Sequence, residues 1–508
     1  MSHDARSRAR TATIRLAAAV FCVLFARGGL AAEAGGILAE ETPWATPYYI
    51  SDSGQPGPTV MIVGGMHGNE PAGAYAAEQI RHWPIVRGKL IVVPRANVQA
   101  LAANKRLTPG AEAKISNLNR NFAAAAKGDD PPRGVMAEAL WTLIKSERPM
   151  WLLDLHEGYD FNGINANSVG STVIVHPSPD ADEAASLMLA AVNAKIDDEQ
   201  KKFRRRSPPI DTSLARAVGE HLDIRSMILE TTSKSQPLSH RARQHRLMVH
   251  CFFDHLNMLA AAVTPDWVAP RDDWQGRMRV ALYDAGGSSG AGVPRVLEQL
   301  SSQPDVGVVR VGPDDIRGGA LKQFDVVIFT GGSGSKQAAA LSDEGRKQVH
   351  QFVSEGGGYL GICAGSYLAC EGFSWGLKVL DAKTVSSKWQ RGRGMTRVEL
   401  TSRGREIFGE PGAELLIKYH NGPIWMPAAS DLLADYEPLA VFRSELAENG
   451  TPEGAMVGSP AIVAGECGQG RVLCISPHPE QTEGLEHFVP RAVKWIANKK
   501  AAPQAAEQ

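Results

Sequence analysis

Short apolar runs that are continuous rather than alternating constrain this chain most. Thr59–Gly65 (TVMIVGG), Lys89–Asn97 (KLIVVPRAN), Met150–Gly158 (MWLLDLHEG), Ser171–Pro177 (STVIVHP) and Ser226–Thr232 (SMILETT) are bounded by glycine, proline or charge. Helical stretches such as Ala72–Trp83 and Asp180–Ile196 separate them. A strand that is apolar on both sides needs cover on both faces, so the first half is predicted to be an α/β sheet between helices. The pattern restarts at Arg279–Gly286, Val306–Gly312, Phe324–Gly332 and Gly357–Gly365, interleaved with helical Val293–Ser302 and Asp343–Gly357. That second half reads as a flavodoxin-like, doubly wound α/β domain. A chain of 508 residues exceeds one ordinary core, and two domains are expected, at 37–262 and 278–498. Prolines, charges and tryptophans interrupt the period between them, which predicts a linker at 263–277. Ligands of such sheets sit beyond the C-terminal ends of the strands, and the motifs below fall there.

The first 32 residues read as a separate object. Arg6, Arg8, Arg10 and Arg15 precede the apolar run Leu16–Ala26, and Ala31, Ala32 and Ala34 follow, the arrangement of a Sec-type signal peptide. The run is too short to span a bilayer comfortably, and no later segment offers eighteen apolar residues in succession. The expectation is an exported protein, periplasmic or secreted, with no stable membrane anchor after signal cleavage. Losing that segment removes five arginines and one aspartate and leaves a modestly acidic chain, with nothing that suggests a nucleic-acid partner. The one basic run, Lys201–Arg206, is expected to be a solvated face or loop. Five cysteines remain (Cys251, Cys363, Cys370, Cys467, Cys474), and an odd number predicts at least one free thiol or a bridge to another chain. The low-complexity tail at 499–508 is expected to be disordered.

His67 and Glu70, three apart in GGMHGNEPAG, follow the run TVMIV closely enough to meet one ion. A third ligand is expected from another strand end, and LLDLHEG supplies His156. Two imidazoles, one carboxylate and a free position are what catalytic zinc takes. Asp154, two residues before His156 on a strand, is expected on the same side, behind that ligand. Glu230 ends the run SMILE, where an unpaired buried carboxylate is too costly to persist without a role, and it is the candidate proton carrier. Arg120 in LNRNF has the planar fork that suits a substrate carboxylate, with Asn119 beside it.

GMHGNE, NKR, NLNRNF, DLHEG and LETT occur in this order. Together they resemble the zinc carboxypeptidase superfamily, in its succinylglutamate desuccinylase and aspartoacylase branch, over about Thr42 to Leu259. The resemblance implies one zinc ion on His67, Glu70 and His156, and Glu230 as general acid/base. It implies Asn119 and Arg120 as binders of the substrate carboxylate, and Arg106 as the group that polarises the scissile carbonyl. The substrate it implies is a small peptide or an acylated amino acid. Where relatives carry an Asp that braces a ligand histidine, this chain has Asn117, a weaker brace. Convergent ligands with Glu230 in reach would favour an enzyme, and an Arg or Lys in the metal position would favour a binding protein.

Cys363 sits between Gly361 and Gly365 in GGYLGICAGSYLA, at a strand-to-helix corner. Small neighbours fit a tight corner, and the helix start favours a thiolate. Near the C-terminus, His478 and Glu480 supply a base and its orienting group, and Gly331 and Gly332 after the run FDVVIFT are candidate oxyanion donors. These pieces, with KWQRGRG and KYHNGPIW, resemble a class I glutamine amidotransferase-like domain of the biotin-protein ligase N-terminal type, over about Met278 to Trp495. Ser366 and Tyr367 stand where glutaminases carry Gln, so glutamine recognition is not implied. The expectation is an exported zinc-dependent amide hydrolase fused to a Cys-His-Glu module. The alternative is a ligand-binding or sensory protein in which one or both sites lack activity.

Overall fold

The computed structural model describes residues 32–126, 130–269, 276–386, 390–410 and 414–497. The signal-peptide expectation, apart from Ala32, and the tail expectation lie outside the described residues. So do Lys388 and Trp389 of the KWQRGRG motif. Among the described residues no helix is long and apolar enough to cross a membrane.

The first domain is an eight-stranded mixed sheet. Its strands are β1 (Ala32–Leu38), β2 (Thr46–Asp52), β3 (Thr59–Gly64), β4 (Lys89–Val93), β5 (Trp151–Gly158), β6 (Thr172–Val175), β7 (Arg204–Arg206) and β8 (Arg225–Thr232). They lie in the order β1-β2-β4-β3-β5-β8-β6-β7. The four central strands, β4, β3, β5 and β8, run parallel. Around them are helices α1 (Pro71–Ile80), α2 (Val98–Ala103), α3 (Val135–Glu147), α4 (Pro179–Asn193), α5 (Leu214–Leu222) and α6 (Leu238–His255). The continuous apolar runs explain the layering. Val60 and Ile62 of β3 face α1, α4 and α6, while Met61 and Val63 face α3 and α5. Each such side chain contributes about 1.5–3 kcal/mol by leaving water.

Two boundaries differ from expectation. The sheet starts at Ala32 rather than at residue 37, because β1 pairs with β2 over its whole length. Arg204–Arg206 forms an exposed edge strand, so the basic run ends in the solvated face expected of it. The linker is packed as far as residue 269: Val263 and Trp267 join the first core, and Val268 and Ala269 join the second.

The second domain opens with β9 (Met278–Tyr283), β10 (Val306–Val311), β11 (Val326–Phe329) and β12 (Gly358–Ile362). Its helices α7 (Gly292–Ser301), α8 (Pro313–Arg317), α9 (Gly334–Ser354) and α10 (Ala364–Ala369) alternate with them. Nine strands form its main sheet, parallel from β10 through β9, β11 and β12 to Gly470–Ile475, then antiparallel through four more. The two domains meet across α1, α6 and α8. Arg246, fully buried, pairs with Asp315 and also donates to Gln79 and to the Pro265 carbonyl. The Tyr75 hydroxyl accepts the Arg310 amide at 2.6 Å.

Candidate active site

β3 ends at Gly64, and α1 begins at Pro71 with Glu70 as its N-cap residue. Proline suits the first helical position, where no N–H partner is needed. Two residues on, a Cβ at Gly73 would lie 2.3 Å from the Leu155 carbonyl oxygen. Only glycine lets α1 rest directly on β5, and that approach sets Glu70 against His156. Glu70 Oε1 is 2.9 Å from His67 Nδ1, and its Oε2 is 2.7 Å from His156 Nδ1. All three residues are buried, and their ligating atoms lie within 4.8 Å of one another.

The far side of each imidazole is held. His67 Nε2 is 3.0 Å from Asn117 Oδ1, an acceptor, so that nitrogen carries the proton, and Nδ1 has no hydrogen-bond partner. His156 Nε2 is 2.9 Å from Asp154 Oδ2, a carboxylate without solvent exposure on the same side of β5. Both rings thus present Nδ1 to the shared position. Burial pushes the Glu70 carboxyl up, but His67 and His156 outweigh it and hold it well below its usual range. Burial likewise opposes charge on His156, yet Asp154 and Glu70 raise its pKa well above normal. Two nitrogens and a carboxylate oxygen, one nitrogen unpartnered, fit a zinc ion.

Glu230 is the direct register partner of His156 on β8. Its Oε2 is buried without a hydrogen-bond partner. Burial, then Glu70 and Asp154, push its carboxyl up to about 8 against the opposing pull of His156 and Arg106.

The remaining first-domain residues converge differently. Asn104, left-handed at the end of α2, turns the chain so that Arg106 reaches Glu70 Oε1, its side chain still 47% exposed. The guanidinium therefore covers that Glu70 oxygen from the solvent side. Asn119 and Arg120 lie in a 3-10 turn at Leu118–Arg120, not beside a strand end. Asn119 Nδ2 is 3.1 Å from His156 Nε2, and its Oδ1 accepts the Leu214 amide at 2.9 Å. Half-buried Arg120 donates to the Asn119 carbonyl, and its charge feels Arg106, Glu70 and Glu230.

In the second domain Cys363 turns the chain between β12 and α10 with φ of 50° and ψ of −99°, a strained corner for a residue with a Cβ. Its thiol donates to the His420 carbonyl at 3.4 Å. His478 Nδ1 is 2.8 Å from Glu480 Oε1, and burial of the ring is outweighed by Cys363 and Glu480, which raise its pKa to about 10. A Cβ on Gly331 would meet His478 Cε1 at 2.8 Å, so glycine is required there, and Gly332 next to it has φ of +139°. All five described cysteines are free.

Residues 56–194 match the profile of the succinylglutamate desuccinylase/aspartoacylase catalytic domain. Over those residues the first domain is similar to that family's catalytic domain. Residues 278–388 match the biotin-protein ligase N-terminal profile. The desuccinylase/aspartoacylase match takes in His67, Glu70, Arg106, Asn119, Arg120 and His156 and stops before Glu230. The second match takes in Gly331, Gly332 and Cys363 and stops before His478. A curated relative, N-alpha-acetyl-L-2,4-diaminobutyric acid deacetylase of Halomonas elongata, is 31% identical over 128 residues, 23% of this chain and 34% of that protein. The chain thus spans about a third of that relative's length. Solved structures similar in part include the Gln46His variant of cell shape determinant Csd4 from Helicobacter pylori, at 19% identity and TM-score 0.34, covering 44% of this chain and 62% of that one. Product-bound EutE (DoeB) from Ruegeria pomeroyi has 16% identity and TM-score 0.34, covering 47% and 71%.

Some residues around the His67–Glu70–His156 cluster were not foreseen. Glu157 follows His156 and is buried, its amide donating to Glu70 Oε2. Buried His245 of α6 lies 3.3 Å from Thr231 Oγ1, its pKa pushed down to about 3 by burial and then by His156. The signal for Glu157 was present in DLHEG, a second acid beside a ligand histidine. That for His245 was absent, since α6 reads as an ordinary helix.

Proposed function

We propose that the first domain is a zinc-dependent amide hydrolase acting on an acylated amino acid or small peptide near a free carboxylate. The observation that carries this is the convergence of His67, Glu70 and His156 with the unpartnered oxygen of Glu230 beside them. The catalytic-domain match and the named deacetylase relative support amide cleavage. His67 Nδ1, Glu70 and His156 Nδ1 would hold the metal, which supplies Lewis-acid polarisation of the carbonyl and of water. Glu230 takes the proton from the attacking water and returns it to the leaving nitrogen. Arg106, solvent-facing beside the ligands, steadies the developing oxyanion once it swings from Glu70. Arg120 binds the substrate carboxylate, and Asn119 joins it when its amide turns from His156.

Export to the periplasm or medium, from the N-terminal segment, belongs to the same proposal, as does a thiol hydrolase or ligand-binding role for the second domain built on Cys363, His478, Glu480 and the Gly331–Gly332 amides. The Arg106 contact with Glu70 favours one second reading, a binding protein whose metal position is screened. The test is turnover of N-acyl amino acids and dipeptides by zinc-loaded protein, with and without chelator. Zinc-dependent release of amine supports the hydrolase. Stoichiometric zinc without turnover of any member supports the binder.

A further inference from the structure

Glu70 holds two positions at once. It is the N-cap residue of α1, where a side chain ordinarily folds back on the helix amides, yet its carboxylate makes no capping bond because it faces the two histidines. The orphan amide finds another acid. Glu157 Oε1 accepts the Ala72 amide at 2.6 Å, and the Glu157 amide donates back to Glu70 Oε2 at 3.2 Å. The result is a reciprocal pair of bonds that ties the start of α1 to β5, its Glu70–Glu157 arm joining residues 87 apart. The second Glu157 oxygen pairs with Arg241 of α6, whose Nε donates to the Gln236 carbonyl at 3.0 Å. Burial pushes the Glu157 carboxyl up, and Arg241 is the largest of the effects that oppose it.

We propose that Glu157, held by Arg241, is a positioning residue for the metal centre: it caps α1 in place of Glu70 and so frees Glu70 to bind the ion. The inference rests on the metal-site reading above. Without Glu157, two forces pull Glu70 off its ligand geometry. The uncapped Ala72 amide recruits the nearest carboxylate, which is Glu70 itself, and the unpaired Arg241 guanidinium attracts the same group.

The experiment is zinc competition against a chromophoric chelator on the full chain, with circular dichroism as the fold check. Glu157→Ala should weaken zinc binding about 10–100-fold, and Arg241→Met about 3–10-fold, while kcat and KM at saturating zinc stay within about threefold of the parent. Glu157→Gln, which keeps an acceptor for Ala72 but no charge for Arg241, should fall between the parent and Glu157→Ala. Parental affinity in Glu157→Ala overturns the proposal, as does loss of kcat with zinc fully bound. If Glu157→Ala fails to fold, parental affinity in both Glu157→Gln and Arg241→Met overturns it. A parent that binds no zinc sinks the metal-site reading instead, a separate outcome.

Discussion

His156 and Glu230 are register partners on neighbouring parallel strands, which sets a buried imidazole of the His67–Glu70–His156 cluster and a buried carboxylate side by side at one end of the sheet. Backbone pairing fixes this relationship, so it does not depend on a loop. Glu230→Gln should retain zinc stoichiometry and lower kcat about 10²–10⁴-fold, the range for removing a general acid/base. Metal analysis together with steady-state kinetics checks it.

The same carboxyl predicts a pH dependence of stability in metal-free protein. Burial and the neighbouring acids raise Glu230 from about 4.5 to about 8, so the folded state holds its proton longer than the unfolded chain does. Its contribution is complete below pH 4.5 and is lost as pH rises toward 8. Thermal melts should show Glu230→Gln more stable than the parent at pH 8 and equal to it at pH 4.5.

Asn117 should limit metal affinity. Its amide oxygen holds the His67 Nε2 proton at 3.0 Å without a negative charge. Asn117→Asp makes the imidazole a stronger donor and should tighten zinc binding about tenfold, read by chelator competition. Unchanged or weaker binding would count against His67 as a ligand.

Thiol reactivity should separate Cys363 from Cys370. Cys363 stands beside His478, whose raised pKa keeps the ring cationic at neutral pH. Cys370 is fully buried, and burial pushes its thiol up to about 12. Peptide mapping after iodoacetamide should find Cys363 modified and Cys370 intact, with His478→Gln slowing Cys363 about tenfold.

The domain joint should behave as part of one core. Asp315→Asn leaves the Arg246 guanidinium buried without its acid and should cost about 3–5 kcal/mol, read by denaturant unfolding. Replacing both with apolar residues of similar size should recover most of that loss.

The convergence of His67, Glu70 and His156 was legible in the sequence because each follows an apolar run, and a strand end is where a doubly wound sheet puts its site. Asp154 was legible by its two-residue spacing from His156. What was hidden depends on which way side chains turn and on partners far along the chain. Arg106 meets Glu70 because α2 ends in a left-handed Asn104, and Asn119 is turned toward His156 by the Leu214 amide. Neither follows from local pattern. The antiparallel flanks of both sheets were also invisible, since a run such as Thr172–Val175 is apolar in either direction. Composition misjudged 263–269, where a proline and an aspartate stand among Val263, Trp267, Val268 and Ala269, which pack.

The enclosure of Arg246 by Gln79, the Pro265 carbonyl and Asp315 has a consequence for engineering and for inheritance alike. The first half can be transplanted onto another scaffold only if its new neighbour brings an acid to meet that guanidinium, and the second only if its neighbour brings a cation to meet Asp315. Recombination at this junction is therefore expected to move the pair together, as a single cassette.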